Sequence, residues 1–314
     1  MARVFDVDPN TVMEWLSEAA DRLQAFSRYL LHDVQVSQVQ LDELFTSLSE
    51  EKAGQGGEAE ARERFPRSPH WVWVAIDPVS KLLLALDVGE RTLEMAQQLV
   101  HHVVQLLAPG CVPLFLTDGF KAYGLALLTH FGQWMSPPRH CPHGPAPKPR
   151  WRPQPELLYA QVVKTYRRRC LVRMHQRVVF GSLAAITQIL APLGWRINTA
   201  FIERLNLTLR HHGAAIGRRV MTLCKSEQSL RQQLHLYQTY YNFCLPHVSL
   251  HLPLAYPQPT NGTGSAKRWR PCTPAMAAGL TDRVWSLREV LLFRVPPWPP
   301  SGALNQRGQW RARG

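Results

Sequence analysis

The chain has 314 residues, and 45% of them are hydrophobic, which argues against wholesale disorder and allows one large domain with appendages or two medium-sized domains. Its 36 Lys and Arg residues outnumber 23 Asp and Glu residues, giving a formal charge of +13. Such a surplus favours an extended polyanion as partner, with a merely basic protein as the alternative.

Neither a membrane anchor nor a disulfide framework is indicated. No apolar run approaches the roughly 18 residues of a spanning helix, and the first residues do not resemble a signal peptide. The six cysteines include no Cys-x-x-Cys pair, which is typical of a reducing compartment. We therefore expect a cytoplasmic protein.

Residues 8–31 are predicted to form a helix, with Asp8 as N-cap and Pro9 in the first helical position. This segment resembles the second half of a helix-turn-helix, so residues 1–33 are interpreted as a partial DNA-binding segment of that type. An amphipathic helix that only packs on its neighbour is the alternative.

The next elements alternate between strand and helix patterns. A strand is predicted at 39–45, and two strongly apolar strands at 71–77 and 82–87 form a predicted hairpin. The pattern then predicts, in order, a helix at 92–108, a buried strand at 112–119 ending in Asp118-Gly119, a helix at 120–129 and a strand at 131–135. This order indicates an α/β fold with a sheet flanked by helices.

The segment that follows is rich in proline and basic residues. Eight prolines between 136 and 155 argue against regular secondary structure there, whereas 157–180 is basic and β-prone. We interpret 136–195 as a basic insertion and 246–314 as a Pro-rich basic tail. His140, Cys141 and His143 have the spacing of zinc ligands, but no second pair lies nearby in the sequence.

Residues 198–210 are predicted to form one amphipathic helix. Ile202, Leu205 and Leu209 give an apolar stripe, while Glu203 and Arg210 lie two turns apart on another face. Alone, that charged face would be interpreted as solvated surface.

Three acids, Asp42, Asp118 and Glu203, fall on two strands and a helix, an arrangement suited to holding two divalent cations. Each has an alternative. Asp77 competes with Asp42 but has a role in the hairpin turn. Asp118 could cap the following helix, and strand alternation predicts that Glu43 faces away from Asp42.

The ordered set of segments resembles bacterial insertion-sequence transposases of the DDE class. The segments are Gln40-Leu41-Asp42-Glu43-Leu44, residues 71–77, Gly89-Glu90-Arg91-Thr92, Thr117-Asp118-Gly119 with Tyr123, residues 199–210 and Gly217-Arg218-Arg219-Val220-Met221. The resemblance implies a ribonuclease-H-like mixed sheet as catalytic core, built from 34–135 and 196–245. It also implies a zinc finger upstream, which this sequence does not contain.

The resemblance implies that Asp42, Asp118 and Glu203 are catalytic and bind two Mg²⁺ ions, with Mn²⁺ able to substitute. DNA contacts are expected from basic residues near these acids: Arg210, Arg204, Arg218, Arg219 and Arg168. The implied activity is DNA cleavage and strand transfer at the ends of an insertion sequence, by a homo-oligomer on double-stranded DNA in the bacterial nucleoid. The alternative is an inactive DNA-binding remnant or regulator of such an element.

Overall fold

A mixed sheet of six strands, flanked on both faces by helices, organises the chain in the computed structural model. The structure describes residues 2–46, 48, 70–137, 148–168, 170–213, 216, 224, 226–260, 262 and 264–296. From one edge to the other, the strands are 83–89, 71–76, 38–45, 114–117, 159–167 and 170–180. The prediction of an α/β fold with helices around a sheet is therefore confirmed.

The first three strands form an antiparallel meander: β1 (Gln38–Phe45), β2 (Trp71–Ile76) and β3 (Leu83–Gly89). β4 (Leu114–Thr117) then pairs parallel to β1. β7 (Tyr159–Arg167) pairs parallel to β4, and β8 (Cys170–Phe180) returns antiparallel along β7. The central strands are buried on both faces, which explains their nearly continuous apolar sequences.

Helices on one face of the sheet enclose the larger core. These helices are α2 (Pro9–Leu30), α3 (Leu93–Leu106) and α4 (Ala122–Phe131), and α2 follows the short α1 (Ala2–Phe5). Asp8 caps α2 by accepting the Asn10 N–H at 2.7 Å, as the sequence predicts. α2 packs its buried side, including Leu23 and Phe26, into the core.

The opposite face is covered by α5 (Leu183–Leu190), α6 (Ala200–His212) and α7 (Glu227–Thr239). A π-helical turn, Tyr240–Cys244, extends α7. The apolar stripe of α6 is buried as predicted, because Ile202, Leu205 and Leu209 belong to the core cluster where α6 packs against β1 and β2. This packing fixes the direction in which the polar face of α6 points.

Residues 136–195, interpreted from the sequence as a basic insertion with an irregular Pro-rich part, contribute strands to two sheets. Short strands β5 (Gly132–Met135) and β6 (Arg150–Pro153) form a separate hairpin, because β-pairing spans the ends of the Pro-rich segment. Strands β7 and β8, assigned to an insertion, instead extend the central sheet because β7 pairs with β4.

The final described segment also departs from the expected tail. It forms β9 (Leu252–Gln258), β10 (Lys267–Arg270), α8 (Pro274–Ala277) and α9 (Leu287–Leu292). Trp285 and Phe293 pack edge-to-face on Phe26 of α2, which anchors this segment to the core. Among the described residues, no helix is long and apolar enough to cross a membrane.

Candidate acidic metal site

The candidate site begins on β1, whose side chains alternate between the two faces of the sheet. Val39 and Leu41 enter the core beneath α3 and α4, whereas Gln40 faces α6. Gln40 accepts the Ile202 N–H at 3.0 Å and donates to the Asn198 carbonyl at 3.0 Å. These two bonds fix the start of α6 against β1. By the same alternation, Asp42 emerges on the α6 face and Glu43 on the α3–α4 face.

Asp42 and Glu43 nevertheless converge, which corrects the prediction that they cannot point at one site. Together with Asp118, each offers a carboxylate oxygen within 4.8 Å of the others. The pairing of β1 with β4 ends at Leu41 and Thr117, so no backbone of β4 separates the two faces beyond that point. The side chains therefore bend from opposite faces towards Asp118, at the carboxyl end of β4.

The acidic cluster, defined as Asp42, Glu43 and Asp118, concentrates negative charge in a partly buried position. Burial, followed by repulsion from Glu43 and Asp118, raises the pKa of Asp42 to about 7. Burial and the charge of Asp118 also raise the pKa of Glu43. A divalent cation would relieve this repulsion, and carboxylate oxygens are the donors that Mg²⁺ prefers. The donor set thus fits a hard divalent cation.

Glu43 is held by two groups on the α3–α4 face. Arg91 donates from Nε to Glu43 Oε1 at 2.5 Å, and Tyr123 donates its hydroxyl to Oε2 at 3.0 Å. The guanidinium of Arg91 also lies 4.2 Å from the centre of the Phe120 ring. Burial, reinforced by the neighbouring Glu43 charge, raises the pKa of Tyr123 well above its usual value, so the phenol stays protonated and remains a donor.

Glu203 lines the same cleft as Asp42 and Asp118 but does not belong to the acidic cluster. Its carboxylate forms an ion pair with Lys164 of β7 and accepts the Thr199 hydroxyl at 2.6 Å. It is close enough to contribute to the raised pKa of Asp42. The structure thus brings all three predicted acids to one cleft of about 630 Å³.

Asn206, one turn after Glu203, connects α6 directly to the cluster. Its side-chain amide donates to Asp42 Oδ2 at 2.8 Å, and the residue is only 8% exposed. Asp42 also accepts the Glu43 backbone N–H at 2.9 Å through Oδ1. Asn206 therefore orients one oxygen of Asp42.

Other buried acids in the sheet region have conventional partners. Asp77 accepts the N–H groups of Val79 and Ser80, each at 3.0 Å, which confirms its predicted role in the hairpin turn. Asp87 pairs with Arg231 at 2.8 Å and accepts from Gln98 at 2.7 Å. Asp118 does not cap α4, which begins after Lys121 without a side-chain cap; it instead accepts the Phe120 N–H at 2.9 Å, in the turn before the helix.

Three of the predicted DNA-binding residues lie in the described part of the chain. Arg204 and Arg210 are on α6 with Glu203, Arg204 exposed and Arg210 half-buried, whereas exposed Arg168 lies in the β7–β8 turn. Arg218 and Arg219 lie outside the described residues, as does the possible zinc-binding set His140, Cys141 and His143.

The cations that line the cleft are Arg91, Lys121 and Lys164, none of which the sequence singled out as site residues. The sequence places Arg91 in one of the segments that carry the resemblance and Lys164 in a basic, β-prone stretch, and it indicates no role at the site for either residue. Their positions depend on strand pairing and helix packing between distant segments, which residue spacing does not encode.

Comparisons of the chain with models of protein families, with curated proteins and with solved structures find no match.

Proposed function

We propose that this protein is a metal-dependent DNA phosphoryl transferase, a transposase of the DDE class, with a ribonuclease-H-like core. The fold supports this proposal through its element order. Strand β1, which bears Asp42, is followed by β2 and β3, helix α3, the parallel strand β4 with Asp118 directly after it, and helix α4. The parallel strand β7 comes after the β5–β6 hairpin, and α6, which carries Glu203, comes after β8 and α5.

The observation that carries the proposal is the meeting of Asp42 and Asp118 where adjacent parallel strands cease to pair, in a cleft that also contains Glu203. Asp87, a buried acid outside the cleft, has a cationic partner, Arg231, at hydrogen-bonding distance. The pKa of Asp42 is instead raised to about 7 by burial and by its acidic neighbours. Such perturbed acids in a cleft are typical of functional sites.

Asp42 and Asp118 are the residues proposed to hold Mg²⁺, with Glu203 joining them when Lys164 releases it. When bound there, Mg²⁺, or Mn²⁺ in its place, supplies Lewis-acid stabilisation to a phosphate oxygen and lowers the pKa of water. Asn206 and Arg91 keep Asp42 and Glu43 in place. Lys121 and Lys164 place positive charge beside an incoming phosphodiester.

The proposed reaction has two steps at one site. Water attacks a phosphodiester at the end of a mobile element, the P–O3′ bond breaks, and a 3′-OH and a 5′-phosphate are released. The 3′-OH then attacks a phosphodiester of target DNA and displaces a second 3′-oxygen. The protein contributes positioning and charge neutralisation, which are the main requirements of phosphoryl transfer. A homo-oligomer on DNA would hold the two element ends.

A plasmid-nicking assay tests the proposal. We expect the purified protein to nick supercoiled plasmid in the presence of Mg²⁺, and we expect EDTA to stop the nicking. Asp118→Asn and Glu203→Gln should each reduce nicking by at least about 10³-fold and leave DNA binding intact. Asp87→Asn is the control for a buried acid outside the cleft. Binding without nicking by the natural chain would favour a regulator, and nicking by Asp118→Asn at the natural rate would contradict the site.

A further inference from the structure

The hairpin of β7 and β8 continues past the end of β4. β4 pairs with β7 only from Tyr159 to Gln161, and β7 then continues six residues further to Arg167 with β8 as its partner. At about 3.3 Å per residue, this two-stranded part extends roughly 20 Å from the sheet. We call residues 162–177 the arm. On β8, every described side chain of the arm is exposed.

Cations cluster on one face of the arm. Cross-strand partners share a face, and the register pairs Thr165 with Arg173, Val163 with His175 and Gln161 with Arg177. Alternation along β7 adds Arg167 to the same face. We call Arg167, Arg173, His175 and Arg177 the cationic face. All four are exposed.

Acidic residues are missing from the arm and from its sequence surroundings. Between Glu156 and Glu203 the sequence contains no Asp or Glu, although it contains Lys164 and several arginines. Surfaces that bind other proteins or solvent usually mix both signs of charge. A one-sign protruding surface is instead complementary to a polyanion.

The cationic face is continuous with the acidic cleft. Val163, on the same face, lies beside Gly119, and a Cβ placed on Gly119 would be 3.6 Å from Val163 Cγ1. Gln161, also on this face, donates to the Phe120 carbonyl at 3.2 Å. Lys164, on the other face, pairs with Glu203. The cationic face therefore borders the cleft, because Arg177 donates to Gln161, which in turn contacts Phe120 of the cleft.

We propose that the arm is a β-ribbon that binds duplex DNA, and that its cationic face guides the duplex from the acidic cleft outwards. The inference rests on the proposed function in one respect, that the acidic cleft is the catalytic site. The major groove of B-form DNA, about 12 Å wide, admits a two-stranded β-ribbon, whereas the major groove of duplex RNA is deep and narrow.

Pairing of β8 with β8 of a second copy is disfavoured by the same charges. In an antiparallel pair centred on His175, Arg173 of each copy would face Arg177 of the other. Like charges directly opposite each other on a sheet are destabilising. In this register the charges of the arm disfavour self-association, and they favour a polyanion such as DNA.

The test uses Arg167→Gln/Arg173→Gln and a control, Lys267→Gln/Arg268→Gln, that removes the same charge from the exposed strand β10. Binding to a random-sequence 30-base-pair DNA duplex is measured by fluorescence anisotropy in EDTA over a range of salt concentrations. We expect the arm variant to bind about tenfold more weakly at 0.1 M salt, with its salt slope reduced by about 2, and the control to change less than about twofold. Unchanged circular dichroism melting shows that both variants fold.

Each other outcome is decisive. The inference would be overturned if both variants lost the same affinity for DNA, or if the arm variant lost none. It would also be overturned if the natural chain preferred duplex RNA of the same length, or if it formed a concentration-dependent dimer that the arm variant abolishes. Because binding is measured without metal, it is independent of catalysis. If the natural chain binds DNA through the arm but does not nick it, the proposed function is wrong and the inference about the arm stands. If the natural chain nicks DNA and binds it without the arm, the inference about the arm is wrong and the proposed function stands.

Discussion

Lys164 on β7 forms an ion pair with Glu203 on α6, so the base of the arm is linked to the acid of the cleft that lies outside the acidic cluster. The side chains are 25% and 46% exposed, which makes the pair a weak one that other ligands can replace. A cation bound by Asp42 and Asp118 competes with Lys164 for Glu203.

Removing the charge of Lys164 should therefore strengthen metal binding. We expect Lys164→Gln to lower the Kd for Mn²⁺ by about two- to fivefold, since an exposed ion pair contributes up to about 1 kcal/mol. Isothermal titration calorimetry measures the change. Lys121→Gln, which removes a charge from the same cleft without touching Glu203, is the control. Weaker Mn²⁺ binding by Lys164→Gln than by Lys121→Gln would contradict this role of the ion pair.

The metal-free protein should lose stability as the pH rises towards 8. Burial and then its acidic neighbours raise the pKa of Asp42 from 3.8 to about 7, so the folded chain binds more protons than the unfolded chain between these values. This contribution to stability is fully present below pH 3.8 and is lost through pH 7. Thermal melting from pH 5 to 8 should show a smaller decline in Asp42→Asn, which should also melt higher than the natural chain at pH 8.

Asp87→Asn provides the contrast in the same melting series. It removes an acid that is paired with Arg231, so its Tm should fall rather than rise at pH 8. Millimolar Mg²⁺ should raise the Tm of the natural chain and of Asp87→Asn, but not that of Asp42→Asn. A difference between Asp42→Asn and the natural chain that does not vary with pH would count against the raised pKa.

The pair of Glu43 and Arg91 should be coupled energetically. Glu43 has a buried side chain, and Arg91→Met leaves its charge without the guanidinium, which should lower the free energy of unfolding by about 2–4 kcal/mol. The double variant Arg91→Met/Glu43→Gln should recover much of this loss. Urea denaturation of both single variants and the double variant gives the coupling energy, and additive effects would show that the contact does not stabilise Glu43.

Asp77 should be important for stability alone. Asp77→Ala leaves the N–H groups of Val79 and Ser80 without their acceptor and should lower the free energy of unfolding by about 1–3 kcal/mol. Metal-dependent nicking per folded molecule should stay within about twofold of the natural chain. Loss of nicking in a folded Asp77→Ala variant would favour Asp77 over Asp42 as the catalytic acid.

The sequence predicts much of the framework because hydrophobic periodicity reports burial locally. The helix predicted at 92–108 is observed as α3, and Asp8 and the apolar stripe of α6 take their predicted roles. The site is less predictable. Alternation correctly separates Asp42 from Glu43 at the backbone, yet it cannot reveal where β4 ends, and that ending lets their carboxylates meet. The pairing of β7 with β4 is likewise a long-range contact without a local signal.

Titration of the natural chain with Mn²⁺ at pH 8, beside Asp42→Asn and Asp118→Asn, tests the acidic cluster as a metal site most directly. Isothermal titration calorimetry of the natural chain should show saturable binding that both variants lose, while Asp77→Asn and Asp87→Asn retain it. Equal Mn²⁺ binding by the natural chain and by Asp118→Asn, or none by the natural chain, would contradict the assignment of Asp42 and Asp118 as metal ligands.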